Sequence, residues 1–475
     1  MSKRDLFEQL KVYSESGVYP FHMPGHKRNG EQTGSALPYS IDITEIHGFD
    51  DLHAPNGILK ELNNRLSVLY ETQHSFALVN GSTCGILAGI ATLARRKDKV
   101  LLARNCHKSV YNAVELLGLV PVYLQPPVDE STGISGSILP ESVQKALDLH
   151  PDIRLCVLTS PTYDGILSDV RTIADILHKK DIPLLVDEAH GAHFQFTKQK
   201  ALSAVQADAD LVVQSLHKTL PALTQTAVAH LCTNRVSPKR FQQNLSVFET
   251  SSPSYVLLAS IGACVRFLET DGETSFSAYE NRLETFASRC KALQKITVLC
   301  KGTDSLNRHP AFFAFDEGKL PLITANTNLD GQTLLATLRE TFQIEGEMAS
   351  VSYALLMTSV CDTDAGFSRL FAALKNIDAS AEFAKIPAQF AALPLPPMEF
   401  APWDTPTAKT EEIPFENAVG KVSLETVWCY PPGVPVLVRG ERVTTEIVNA
   451  LKNAKAHRLN VYASGGEFPK IKVFD

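Results

Sequence analysis

"LVVQSLHKTLPALTQTA", residues 211 to 227, brings a lysine to the point where a buried strand should end. Leu211, Val212 and Val213 form an apolar run, followed by Ser215, His217 and Lys218, then Thr219, Leu220 and Pro221. Lysine ammonium groups ordinarily stay in water. An ammonium at the end of a core strand, beside an imidazole and hydroxyls, implies either a surface loop or a specific partner. The neighbouring segments decide between the two.

Upstream and downstream, short apolar runs alternate with amphipathic segments. "KVLLAR", "VPVYLQP", "IRLCVLTSP", "IPLLVDEAH" and "ADLVVQSLHK" read as strands, while "SVYNAVELLG", "PESVQKALDLH" and "DVRTIADILHKK" have helical apolar spacing. That alternation predicts an α/β fold with a mostly parallel sheet and helices on both faces. It weakens after about residue 300. The expected organisation is an N-terminal arm over 1–57, a large α/β domain over 58–305, and a smaller C-terminal α+β region over 306–475. A Pro-rich connector falls at 386–407 within the last of these.

Bulk composition narrows the function classes. The chain has 475 residues, 44% hydrophobic and 20% charged, which is a globular balance. A net charge of -7 gives no basic footprint for nucleic acid. No apolar run reaches membrane-span length, and the opening "MSKRDLFEQLKVYSESG" lacks the apolar core of a secretory signal. The nine cysteines are scattered with no CxxC pair, so reduced, buried thiols in a cytoplasmic protein are expected rather than disulfides or a zinc site.

In a parallel sheet, ligands bind beyond the carboxyl ends of the strands. Several polar clusters fall at such ends. "VNGSTCGI" places Gly81, Ser82 and Thr83 at a strand-to-helix turn, where first-turn N–H groups either bind an anion or are simply capped. "ARNCHKSV" puts His107 after another strand. "PLLVDEAHGAHF" carries Asp187 to the end of an apolar run, where a carboxylate needs a positive partner. His190 and His193 nearby leave a metal site as the competing reading, one that gives Lys218 no role. Lysine, aspartate and an anion-binding turn together suit pyridoxal 5'-phosphate (PLP). The lysine takes the aldehyde, the carboxylate faces the pyridine nitrogen, and the helix start takes the phosphate.

The sequence resembles the bacterial ornithine/lysine/arginine decarboxylase family, of the type I aspartate-aminotransferase fold. The resemblance runs in order through "FHMPGHK" (21–27), "DITEIHGFDDLHAP" (42–55), "FALVNGSTCGI" (76–86), "RNCHKSV" (104–110) and "SPTYDGILSDV" (160–170). It continues through "VDEAHGAHF" (186–194), "SLHKTLPALTQTA" (215–227), "ETSSPSYVLLAS" (249–260) and "YPPGVPVLVRGE" (430–441). It implies that Lys218 carries the cofactor, Asp187 pairs with its pyridine nitrogen, and His107 stacks on its ring. Ser82 and Thr83 would hold the phosphate, with Gly81, Ser215, His217 and Ala189 beside it. Thr250 or Ser251 would reach a neighbouring subunit's phosphate across a homodimer or higher homo-oligomer with shared sites. The motifs begin within the first thirty residues, so the short form without an N-terminal wing domain is expected.

The implied reaction is decarboxylation of a basic amino acid: arginine to agmatine first, then lysine to cadaverine or ornithine to putrescine. His217 or Lys218 is the candidate proton donor, and His190 and Glu441 are the candidate substrate contacts, Glu441 as the carboxylate for a basic distal group. Other chemistries that the fold hosts are an aminotransferase, a lyase, or a non-catalytic PLP-binding regulator. No metal and no membrane or nucleic-acid partner is expected.

Overall fold

A computed structural model describes residues 5–16, 24, 37–300, 310–384, 386, 393–404, 410–430, 433–466 and 468–474. Most of "FHMPGHK" and the two prolines of "YPPG" therefore lie outside the described residues. The chain divides into two compact units, each discontinuous in sequence: Met1–Leu93 with Pro183–Ser277, and Ala94–Ile182 with Ala278–Asp475.

The first unit holds four neighbouring strands in the order His74–Leu78, Ala227–Leu231, Leu211–Ser215 and Leu184–Asp187. Leu211–Ser215 runs parallel to Leu184–Asp187, whereas its other neighbour, Ala227–Leu231, is antiparallel to it and to His74–Leu78. Every residue of the three inner runs is buried, as expected of strands covered on both faces. Helix Gly81–Leu93 lies against them through two glycines. A methyl at Gly85 would sit 2.7 Å from Leu78 Cδ1 and 2.9 Å from Val213 Cγ1, and one at Gly89 would sit 2.7 Å from Leu185 Cδ1. This close approach fixes where the helix begins, and the expected phosphate turn is at that end.

The second unit contains three parallel strands in the order Ile153–Thr159, Lys99–Ala103 and Val120–Leu124. Helices Lys108–Leu117, Pro140–Leu149 and Val170–His178 follow the amphipathic patterns of the sequence, and Asp169 caps the last by accepting from Thr172 N at 3.1 Å. An antiparallel sheet follows, Met348–Ala349, Tyr353–Met357, Lys319–Ile323 and Thr297–Val298, with helices Gly331–Phe342 and Asp364–Ser380. Two three-stranded sheets and helix Thr445–Ala456 enclose a separate C-terminal core built on Val427, Leu437, Val443, Ile447, Leu451 and Ile471. The Pro-rich connector is anchored here: Trp403 Nε1 donates to Leu119 O at 2.8 Å, and the Arg96 guanidinium lies 4.9 Å from the Trp403 ring centre.

None of the nine cysteines forms a disulfide. Cys361 is exposed and Cys232 partly so, unlike the buried thiols expected throughout. No helix among the described residues is long and apolar enough to cross a membrane.

Candidate active site

Strand Leu211–Ser215 ends where one helical turn, Leu216–Thr219, begins. Three hydrogen bonds hold that junction: Ser215 N to Ala189 O at 3.3 Å, Leu216 N to Thr226 O at 3.2 Å, and Leu220 N to Leu216 O at 2.9 Å. Lys218 projects half-buried from the turn. Its ammonium donates to Nε2 of His190 at 3.0 Å, which places the imidazole proton on Nδ1.

Asp187 is 4% exposed and ends the adjoining strand, level with Val213. Burial raises its carboxyl above the ordinary range, opposed by the positive charge of Lys218 and by Ala189 N, which donates to Oδ1 at 3.1 Å. The two charges expected to bracket a cofactor are thus coupled through neighbouring strand ends. His217 donates from Nδ1 to Thr226 O at 2.8 Å. Burial lowers its basicity and the Lys218 charge lowers it further, so the ring is neutral at physiological pH with its Nε2 lone pair available. The Ser215 and Thr219 hydroxyls are buried without a hydrogen-bond partner among the described residues.

The turn before helix Gly81–Leu93 is pinned from two sides. Gly81, at φ +72°, donates its N–H to Gln225 O at 2.8 Å, and Gln225 Nε2 returns a bond to Val79 O at 2.7 Å. Val79 N donates to Glu249 Oε1 at 2.8 Å. Ser82 is half-buried and Thr83 exposed at the helix start. Thr250 and Ser251 are both exposed, and Thr250 O accepts from His53 Nε2 at 2.9 Å.

Sequence reasoning missed Gln225, Glu249 and Glu188. Each lies within a quoted motif, but only the fold reveals its contacts. Glu188 is fully buried and accepts from Ala204 N at 2.7 Å, Ser203 Oγ at 2.9 Å and Gln214 Nε2 at 2.7 Å. Burial nevertheless outweighs these donors and pushes its carboxyl up to about 8. The chain of contacts continues from Gln214 Oε1 to His230 Nε2 at 3.2 Å, from His230 Nδ1 to Ser75 Oγ at 2.8 Å, and from Ser75 Oγ to Thr72 Oγ1 at 2.8 Å. Gln214 Oε1 only accepts, so His230 must donate from Nε2 and accept at Nδ1 from Ser75.

Among the described residues no group of three or more His, Cys, Asp or Glu is arranged to hold an ion, and His190 meets Lys218 instead.

His107 and Glu441 belong to the second unit. His107 precedes helix Lys108–Leu117, where Nδ1 accepts from Ser109 N at 3.2 Å. Glu441 is 1% exposed and ion-paired with Arg104 at 3.2 Å, and its Oε2 also accepts from Val438 N at 2.7 Å. Both oxygens are engaged inside the unit, which corrects the expectation of a substrate-facing carboxylate at Glu441. No sequence pattern marked Arg104, 337 positions away, as its partner. The unit also contains a partly open pocket of about 370 Å³ beyond the ends of strands Lys99–Ala103 and Val120–Leu124, lined in part by Asn105, Gln125, Tyr163 and Asp164.

An α/β unit with lysine and aspartate at adjoining strand ends defines the class: the type I fold of PLP-dependent enzymes. Residues 4–319 match the Orn/Lys/Arg decarboxylase major domain, and residues 388–459 match the C-terminal domain of the same family. The chain belongs to the Orn/Lys/Arg decarboxylase family and is a decarboxylase of basic amino acids. It is 33% identical to an arginine decarboxylase of Bacillus subtilis over 461 residues, 95% of this chain and 94% of that protein. An arginine decarboxylase of Halalkalibacterium halodurans is also 33% identical, over 92% of this chain and 91% of the relative. The fold matches the lysine decarboxylase LdcF of Francisella novicida with a TM-score of 0.82 at 20% identity, over 99% of this chain and 81% of that one.

Proposed function

We propose that the protein is a PLP-dependent arginine decarboxylase that releases CO2 and leaves agmatine. The observation that carries this reading is the coupling of Lys218 to Asp187 and His190 beside the orphaned Ser215 hydroxyl. A buried hydroxyl with no protein partner suits an anionic ligand oxygen, and the neighbouring lysine suits an aldehyde. The choice of arginine is supported by the arginine decarboxylases that match nearly the whole chain.

Bound PLP supplies an electron-accepting ring for the pair released when the Cα–carboxylate bond breaks. The protein's own groups do the rest. Lys218, its Nζ aimed by His190, would hold the aldehyde. Asp187, buried away from water, would pair with the pyridine nitrogen. Ser82, Thr83 and the first-turn N–H groups of helix Gly81–Leu93 would hold the phosphate with Ser215, and Ala189 N keeps Asp187 oriented. His107 would cover one face of the ring. Lys218 would hold the proton destined for Cα, and His217, whose Nδ1–H is held by Thr226 O, would do so only after taking up a proton at Nε2. Homodimerisation would bring Thr250 or Ser251 to the partner's phosphate.

The test is CO2 release from arginine, lysine and ornithine in parallel with PLP-loaded protein. Turnover of arginine above the other two is the expected result. Turnover of lysine or ornithine alone would refute the substrate assignment, and keto-acid-dependent turnover without CO2 would refute the reaction.

A further inference from the structure

We infer that Arg104, Glu441 and Gly433 are positioning residues that hold the His107 imidazole in place through the C-terminal hairpin. This rests on the reading of His107 as the residue that covers the cofactor ring.

His107 lies on a short turn between strand Lys99–Ala103 and helix Lys108–Leu117, a place where a side chain could adopt several orientations. Its Nδ1 side is fixed locally, by Ser109 N at 3.2 Å and Ser109 Oγ at 2.9 Å. The opposite edge of the ring meets a distant part of the chain. At Gly433, φ is +81°, and a methyl built there would lie 3.4 Å from both Cδ2 and Nε2 of His107. A methyl there would meet the ring edge in ordinary van der Waals contact, so this turn of the hairpin borders the imidazole on the side away from Ser109. Gly433 O also accepts from Lys108 N at 3.1 Å, so the residue after His107 is tied to the same peptide.

Gly433 holds that place because its hairpin is gripped by Arg104, three residues before His107. The Arg104 guanidinium donates to Pro435 O at 2.8 Å, Val436 O at 3.2 Å and Tyr111 Oη at 2.9 Å, and pairs with Glu441 at 3.2 Å. Glu441 Oε2 in turn accepts from Val438 N at 2.7 Å. Both charged groups are almost fully buried, at 7% and 1% side-chain exposure. A buried ion pair is a weak device for stability, since apolar packing of equal volume often does as well. A planar fork that reads two successive carbonyls and a carboxylate fixes geometry instead. A second contact has the same effect: Lys108 Nζ lies 5.2 Å from the Trp428 ring centre, on the other strand of the hairpin.

The experiment uses R104K, which keeps the charge but loses the fork, and G433A, which leaves the ion pair intact and adds a methyl against the ring. Each is made alone and on an H107A background. Three readouts apply: the PLP dissociation constant by absorbance titration, kcat and KM with arginine, and the His107 ring-carbon chemical shifts in cofactor-free protein. Thermal melting identifies any variant that fails to fold, and each of R104K and G433A stands as the check on the other. The expected result is a shifted His107 ring signal and a roughly tenfold to hundredfold loss in cofactor affinity or kcat, with KM nearly unchanged, that disappears when His107 is already alanine. The same loss on the H107A background, or an unmoved ring signal in both single variants, overturns the proposal. Unaltered cofactor binding and kcat in H107A itself would overturn the underlying role of His107, and that outcome is separable because the ring signal still reports whether the clamp acts on it.

Discussion

Lys218 Nζ and His190 Nε2 are 3.0 Å apart, and His190 stands three residues beyond Asp187, so the imidazole that meets the lysine and the carboxylate that feels its charge come from one segment. Lys218→Ala should abolish the visible absorbance of lysine-bound cofactor. It should also lower decarboxylation by about 10²–10⁴-fold if the lysine moves a proton as well as holding the aldehyde. Absorbance and single-turnover rates check the two parts separately. A retained band in the variant would remove Lys218 from its role.

Ser215 offers a cleaner separation of binding from folding. Its buried hydroxyl has no protein partner, so Ser215→Ala should leave the cofactor-free protein as stable or more stable, by about 1 kcal/mol, while weakening PLP binding about tenfold. Melting of the cofactor-free protein and a PLP titration measure both. Unchanged affinity would place the hydroxyl away from the phosphate.

Glu188 makes stability depend on pH in a definite direction. Its carboxyl is raised from 4.5 to about 8 in the folded protein, chiefly by burial. Between those values the folded state keeps a proton that the unfolded chain has released. The contribution of Glu188 to stability is therefore full below pH ~4.5 and is lost as pH rises to ~8, by at most about 1.4 kcal/mol per pH unit. Urea unfolding of wild type and Glu188→Gln across pH 5 to 8 should show the wild-type decline flattened in the variant. Parallel curves would mean that Glu188 ionises normally.

Gly85 tests the packing that seats the phosphate-binding helix. Gly85→Ala places a methyl 2.7 Å from Leu78 Cδ1 and 2.9 Å from Val213 Cγ1, and should destabilise by about 1–3 kcal/mol. Chemical denaturation measures it. A neutral result would show that the helix shifts freely, and PLP affinity should then fall with that shift.

Much of this site was legible because its residues sit within a few positions of a strand end, and strand ends are marked by apolar runs. Lys218, Asp187 and the Gly81 turn were found that way. The direction of His74–Leu78 and Ala227–Leu231 was not, since a fully buried run looks alike in either orientation. The two discontinuous units were equally hidden, because a continuous alternation of elements says nothing about which strands cluster. Glu441 shows the deepest limit. Its local sequence, "VRGE", looks solvated, and its burial follows from an arginine more than three hundred positions earlier. A charge paired across that span leaves no periodic trace.

The file of side chains from Thr72 through Ser75, His230 and Gln214 to Glu188 has one polarity, every donor pointing toward the glutamate. Its members lie on or beside four different strands, yet none can reverse without reversing the rest. Drift at these positions is therefore restricted to concerted steps. Replacing the buried histidine alone would strand the Ser75 hydroxyl and the Gln214 carbonyl, so relatives should differ here in sets of residues rather than one at a time.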